Sequence, residues 1–228
     1  MNKPRIGLVT IGQSPRDDIV PDLLPLWSGY ELIQTGALDE LVSREILCLA
    51  PVPGEDSGLF LVTRLRDGRH VSLAEKKLLP HLQTAIDRAV EQGVQLVVLL
   101  CTGSFPVLRC PVPFLALGQV LYHFVAAVVR PDTRLGILVP EVAQREAARQ
   151  RWLQLLTDVR VVNLSPYQSD SEFEAELTAV NNLRECGLIV MDCAGYANRQ
   201  RQRVRALLNR PVILPRTVLA RVVQELIG

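Results

Sequence analysis

The sequence predicts an α/β fold of two similar three-layer α/β/α halves, each built on a mainly parallel sheet, with a cleft between them. Three observations predict it. Strand-like apolar runs alternate with helix-like segments along the chain, which is the grammar of a parallel sheet covered by helices. Two of these runs, "VVLLCTGSF" from Val97 and "IVMDCAGY" from Ile189, open with continuous apolar stretches of the kind that strands buried on both faces require. Each follows a long helical segment that ends in Gly and finishes in a cysteine with small residues behind it, so the two read as corresponding places in two copies of one plan.

Taken in order, residues 5–11 form a first strand, and "GQSPRDD" then supplies a Gly turn, a Ser cap, a Pro at a helix start and early acids. Residues 30–35 form a second strand. "GLFLVTRLRDGRHVSL" has two strand-like arms around Asp67-Gly68, a hairpin signal, and is expected as an edge decoration. Ser72 is expected to cap a long helix that runs to about Gln92, and Gly93 stops it before the strand at 96–100. The alternation continues with a strand at 114–117, a helix to about Val129, a strand at 135–139 and a helix over 142–156. A strand at 160–164, a helix over 172–185 and a strand at 188–192 follow. A helix over 198–208, a strand at 212–214 and a last helix complete the chain. The expected division is 1–115 with about 210–228 in the first half, and 116–209 in the second.

Composition narrows the function classes. The chain has 228 residues, 48% of them hydrophobic, enough for a substantial core. Its 25 basic and 24 acidic side chains leave a formal charge of +1, so no global field draws it to nucleic acid or to an anionic membrane, and neither is expected as a partner. The amino end lacks the apolar stretch of a signal peptide, and no apolar run reaches the roughly 20 residues that span a bilayer, so a cytoplasmic protein is expected. The five cysteines lack regular spacing and are read as free thiols, while three scattered histidines and the absence of a C-x-x-C argue against a metal site. No Walker A loop, G-x-G-x-x-G or G-x-S-x-G appears, and no cofactor is expected. Arg199, Arg201, Arg203, Arg205 and Arg210 point around one helix and read as a solvated face rather than a phosphate site.

The chemistry concentrates at two strand ends. In open parallel sheets, ligands bind beyond the carboxyl ends of strands, where helix N-termini direct free N–H groups. Cys101 and Cys193 sit there, and a helix dipole with nearby amides would favour thiolate over thiol. The small residues Thr102, Gly103 and Ser104, and Ala194 and Gly195, let a ligand approach the backbone. The plainer alternative is that each cysteine completes a buried strand as a small hydrophobe. Cys48, Cys110 and Cys186 take that plainer reading. Asp192 precedes Cys193, and its side chain should alternate away from the thiol if strand geometry persists.

Set side by side, "LVTIGQSPRDDI", "GALDEL", "HVSLAEKK", "CTGSF" and "MDCAGY" resemble the AroM family over nearly the full length. That family is similar in turn to the aspartate/glutamate/hydantoin racemase superfamily. The resemblance implies two α/β halves with an active site between them, and a homodimer by analogy. In the superfamily one cysteine from each half faces the substrate: one thiolate removes the α-proton and the opposite thiol returns one. These roles carry over to Cys101 and Cys193. Thr102, Ser104 and the amides near Gly103 and Gly195 become carboxylate contacts. The turn Gly12-Gln13-Ser14, with Arg16 behind it, stands where the racemases use an acidic loop, and implies a less amino-like acid or a cyclic amide as ligand.

The resulting expectation is a cofactor-independent isomerase acting at a carbon α to a carboxylate or amide carbonyl. Two alternatives remain open: a single-cysteine decarboxylase or cis–trans isomerase, and a non-catalytic small-molecule sensor or binding protein.

Overall fold

The computed structural model describes residues 3–52 and 60–227. In chain order the elements are β1 (Arg5–Thr10), α1 (Val20–Trp27), β2 (Glu31–Gly36), α2 (Ser43–Cys48), β3 (Phe60–Arg64), β4 (His70–Ala74), α3 (Glu75–Glu91), β5 (Leu96–Leu99) and β6 (Phe114–Ala116). They continue with α4 (Leu117–Val128), β7 (Leu135–Val139), α5 (Arg145–Leu153), β8 (Val159–Asn163), α6 (Asp170–Glu176), β9 (Leu188–Met191), α7 (Asn198–Leu208), β10 (Val212–Ile213) and α8 (Pro215–Ile227). Short 3₁₀ segments cover Val142–Gln144 and Leu177–Leu183. Among the described residues no helix is long and apolar enough to cross a membrane.

Two four-stranded sheets carry the fold, in the orders β2-β1-β5-β6 and β10-β9-β7-β8. All their pairings are parallel. Read from the opposite edge, the second order is β8-β7-β9-β10. In both sheets, then, the first strand in the chain lies inside, the second at its outer side, the third inside and the fourth at the far edge. β5 and β9 are topological equivalents, and Cys101 and Cys193 follow them two residues beyond each strand end.

Hydrophobic burial builds both sheets from the two faces. β5 and β9 are buried at every residue. On the first sheet, Val97 and Leu99 pack toward Leu82 and Ile86 of α3, whereas Leu96 and Val98 pack toward Leu23 of α1 and Leu219 and Val223 of α8. On the second, Ile189 and Met191 meet Val204 of α7 and Val180, while Val190 and Ile137 meet Leu121 of α4 and Trp152 of α5. Each fully buried aliphatic side chain of this kind contributes about 1.5–3 kcal/mol. The chain crosses to the second core along α4, and after β10 has completed the second sheet it returns in α8 to the first.

Several local expectations are corrected. Ser14 caps no helix: its N–H and hydroxyl both go to Asp39, each at 2.7 Å, and α1 begins only at Val20 with Pro21 in its first turn. Ser72 lies within β4, so α3 starts at Glu75 without a side-chain cap. The helix expected over 142–156 is split between a 3₁₀ turn and α5, and that over 172–185 between α6 and a 3₁₀ segment. The hairpin around Asp67-Gly68 forms as β3 paired with β4 in a two-stranded sheet of its own, with Gly68 at φ 89°. The expected first arm began at Gly58 and Leu59, which lie outside the described residues.

The joint between the halves is held by Arg216 at the start of α8, only 1% exposed. Its guanidinium donates to the carbonyls of Ala194 (2.8 Å), Gly195 (2.8 Å) and Asp18 (3.0 Å) and to the Asp22 carboxylate (2.9 Å). A buried charge is tolerable only when it is met this fully, and removing it leaves several acceptors unpaired. Arg216→Met is therefore expected to lower unfolding stability by about 3 kcal/mol, read from urea denaturation.

Candidate functional site

A cavity of about 280 Å³ opens beyond the carboxyl ends of β5 and β9, and both Cys101 and Cys193 line it. They are 8% and 9% exposed. Its walls come from both halves: Thr102, Gly103 and Ser104 follow Cys101, Asp192 and Ala194 flank Cys193, and α5 contributes Arg151. The hairpin is not an edge decoration. Phe60, Leu61, Val62 and Thr63 of β3 line the cavity, and His70 of β4 stacks on Tyr167 of the second half at 6.0 Å between ring centroids and 15° between planes.

The two cysteine turns are built alike. After Cys101, the Thr102 carbonyl accepts from Arg151 at 2.6 Å and the Gly103 N–H points to the Cys101 sulfur at 3.4 Å. After Cys193, the Ala194 carbonyl accepts from Arg216 and the Gly195 N–H points to the Cys193 sulfur at 3.3 Å. A trans peptide directs its C=O and N–H to opposite sides, so a guanidinium that holds the carbonyl of a peptide aims its N–H. Each sulfur thus receives an amide from the peptide that an arginine clamps from behind. Glycine is needed in the second turn because a methyl group on Gly195 would lie 2.8 Å from the Tyr167 ring.

Beyond this shared frame the sulfurs differ. Cys193 lies 3.5 Å from the Tyr167 hydroxyl. Burial pushes the Cys193 thiol up, opposed by Tyr167, the Gly195 amide and the positive charge of Arg16. Burial pushes Cys101 further, to about 12, opposed by the Gly103 amide and by Arg151 while a charge on Cys193 adds to the rise. The expectation that helix dipoles would lower both thiols is reversed: burial raises both, and no helix starts directly after either cysteine, α4 beginning at Leu117 and α7 at Asn198. Burial also holds the Tyr167 phenol well above its ordinary value, so its hydroxyl stays protonated and is placed to donate to the sulfur when Cys193 ionises.

Asp192 does not alternate away. β9 ends at Met191, and the Asp192 carboxylate turns inward to accept from Trp152 Nε1 at 2.8 Å and from Arg151. The Thr102 hydroxyl reaches across to the Asp192 carbonyl at 3.2 Å, so the two cysteine turns are tied to each other directly.

The amino-terminal turn takes a different place. Arg16 reaches the cavity but is 4% exposed, held bidentately by Asp18 at 2.7 and 2.8 Å and by the Thr10 hydroxyl at 2.9 Å. Burial opposes its charge, yet pairing with Asp18 keeps the guanidinium ionised. Gly12, Gln13 and Ser14 are not among the lining residues. Gly12 leaves room for the Thr63 hydroxyl, which a methyl group there would strike; Gln13 accepts from the Arg66 N–H at 3.0 Å; Ser14 is bound by Asp39. Gly195 underlies Tyr167 rather than facing the cavity. Tyr167, Arg151, Thr63 and Glu75 join the site without having been singled out, and only the folded chain brings them there.

Outside the cavity, Arg199 and Arg203 of α7 pair with Asp170 and Glu174 at the exposed surface. Cys48 is exposed and Cys110 half-buried, away from the cavity walls, while Cys186 is buried in the second core. Among the described residues no group of His, Cys, Asp and Glu side chains could hold a metal ion.

Solved structures share this architecture at low sequence identity. Allantoin racemase from Klebsiella pneumoniae superposes with a TM-score of 0.61 at 16% identity, over 98% of this chain and 87% of that one. Aspartate racemase from Picrophilus torridus gives 0.63 at 12% identity, over 99% and 94%. An unliganded arylmalonate decarboxylase gives 0.58 at 14% identity, over 98% and 92%. These likenesses show the fold. No curated protein matches the chain by sequence. A family model described as AroM protein matches residues 6–227, nearly the whole chain, and the chain belongs to the AroM family.

Proposed function

We propose that this protein is a cofactor-independent, racemase-like isomerase acting at a carbon α to a carboxylate or amide carbonyl, with Cys193 and Cys101 as the acid–base pair. The observation that carries this reading is the placement of both thiols, from equivalent strand ends of the two halves, in the wall of one cavity. An α-proton is removed from one face of a carbon and returned to the other by two groups of opposite protonation. The site favours such an asymmetry. Cys193 has a hydroxyl donor, an amide and a nearby cation on the side of its thiolate, whereas Cys101 has an amide and the partly engaged Arg151, and burial holds it as thiol. Burial keeps both thiols protonated at ordinary pH, but Cys193 has more contacts that favour its thiolate, so it serves as the base and Cys101 as the acid.

A second reading is that Cys193 alone works, as a protonating thiol in a decarboxylation, because burial keeps it protonated and it alone of the two has the Tyr167 hydroxyl beside it. The two are separated by substitution. In heavy water, with candidate α-substituted acids and amides, the isomerase incorporates solvent deuterium at the α-carbon, and Cys101→Ser and Cys193→Ser each reduce exchange by about a hundredfold or more. If exchange persists in both variants the acid–base pair is wrong. If only Cys193→Ser abolishes turnover, the single-thiol reading replaces it.

The raised thiol values fix the pH behaviour. Below the ordinary thiol value near 9, both folded and unfolded Cys101 are protonated and its contribution to stability is whole. Above it the unfolded chain loses the proton while the folded chain keeps it up to about 12, so stability falls as pH rises through that window. Urea midpoints at pH 8 and pH 10 are expected to show this fall, reduced in Cys101→Ser. Iodoacetamide labelling of the two cavity thiols, read by peptide mapping because Cys48 is exposed, is expected to be slow at pH 7 and to rise with pH, at Cys193 before Cys101. Tyr167→Phe, lacking the donor, moves the Cys193 labelling curve to higher pH; an unmoved curve would remove Tyr167 from this role.

A further inference from the structure

The thiol cavity keeps accessible apolar surface on two sides. Phe60 and Leu61 of β3 and Ala147 and Ala148 of α5 line it, and all four are half-buried rather than sealed. Among the described residues, neither Phe60 nor Ala147 belongs to any of the hydrophobic clusters that build the two halves. The lining residues most open to water, Ser104, Gln150 and Gln154, are polar. A single exposed apolar side chain is ordinary on a protein surface, and Val107, 98% exposed, is one. Four that meet in one concavity, drawn from both halves, make the kind of wall that receives the apolar body of a small ligand.

Both apolar walls adjoin the turn that follows Cys101. Leu61 lies against Gly103, where an added methyl group would come within 2.7 Å of Leu61 Cδ2 and 3.4 Å of the Cys101 sulfur. On α5, Ala147 and Ala148 stand one helical turn before Arg151 and share the helix face from which Arg151 reaches the Thr102 carbonyl. The cavity, at about 280 Å³, exceeds the roughly 150 Å³ of an apolar site that holds benzene, so it has room for a branched or cyclic hydrocarbon group beside a carboxylate or amide. Its charges give a further anionic arm no place. Arg16 is paired with Asp18 and Arg151 with Asp192, so a second carboxylate would enter apolar space with no free cation to receive it.

We propose that the ligand is a monocarboxylic acid, or its amide, that carries a branched or cyclic hydrocarbon group, and that this group packs against Phe60 and Leu61 on one side and Ala147 and Ala148 on the other. Phe60 and Ala147 are then specificity-determining residues: the first supplies apolar contact, and the second stays small so that the group fits. Binding takes the exposed part of the Phe60 ring out of water, which the folded chain alone does not do. The inference rests on the proposed α-carbonyl chemistry for the other end of the ligand, and it names the substituent that reading left open.

Isocaproate, succinamate and succinate test it, because they share a carboxylate and a chain length and end in two methyl groups, an amide or a second carboxylate at the same branch point. Ligand-observed NMR titration of the full chain at pH 7.5 is expected to give isocaproate an affinity at least about tenfold above succinamate, from the two buried methyl groups, with succinate weakest. Bound isocaproate is expected to slow iodoacetamide labelling of Cys193 at pH 9, which places it in this cavity. Phe60→Ser, at a side chain outside the hydrophobic clusters, is expected to bring isocaproate within about threefold of succinamate. Ala147→Leu fills the space from α5 and is expected to weaken isocaproate about fivefold while leaving propionate within about twofold, which keeps the test decisive if the first variant does not fold. Equal affinities, a preference for either polar probe, binding of none of the three, labelling that isocaproate does not slow, or a preference that neither variant reduces overturns the proposal. Binding is measured without turnover, so the two readings fail separately: deuterium exchange with no apolar preference rejects this inference alone, and an apolar preference with no exchange rejects the isomerase alone.

Discussion

Everything at this site depends on two peptide planes, each clamped by a guanidinium. Arg151 holds the Thr102 carbonyl and Arg216 the Ala194 carbonyl, and planarity then leaves the following N–H of Gly103 or Gly195 no direction but toward the sulfur. Neither arginine belongs to the turn it holds. Arg151 comes from α5, on the second sheet, and reaches the turn of the first; Arg216 comes from α8, packed on the first core, and reaches the turn of the second. Each half therefore shapes the cysteine turn of the other, and neither turn has its working form without the joint between the sheets. The Thr102 hydroxyl on the Asp192 carbonyl closes the same joint from within.

That arrangement accounts for the low polarity of a site lined with ionisable groups. A thiol held in an apolar wall is neutral at ordinary pH, and the arginines that might have ionised it are engaged elsewhere: Arg16 with Asp18, Arg216 with Asp22, Arg151 with Asp192. What remains for Cys193 is a graded set of weaker influences, from a phenol, an amide and a cation that is already paired. Differences of this size separate two chemically identical groups without committing either of them permanently to one protonation state.

Much of the fold was legible in the sequence, and the reason is local. Runs such as Leu96–Leu99 and Leu188–Met191 are apolar at every position because a strand covered on both faces must be, and the cysteine after each run could be matched by inspection. The hairpin turn at Asp67-Gly68 was legible for the same reason, but its position over the cavity was not, since nothing within the arms says what they cover. Arg16 was visible as a loop cation, while its neutralisation by Asp18, two residues on, depends on how the turn closes. Asp192 was expected to face away on the assumption that the strand continued; it stops one residue earlier, and the carboxylate turns inward. Arg151, Thr63 and Tyr167 carry no local mark. The folded chain brings them to the cavity wall, with contacts to residues distant in the chain such as Thr102 for Arg151 and Cys193 for Tyr167.

The two sheets repeat one strand order, and a site made from them alone would present the same surroundings to either face of a planar carbon. The β3–β4 hairpin has no counterpart between β8 and β9 among the described residues. By laying Leu61 against Gly103 on one side and His70 against Tyr167 on the other, it is in contact with both repeats while belonging to one. It is the element that breaks the equivalence of the two repeats around the cavity: its apolar β3 residues line one part of the wall, and among the described residues the second sheet offers nothing of the same kind.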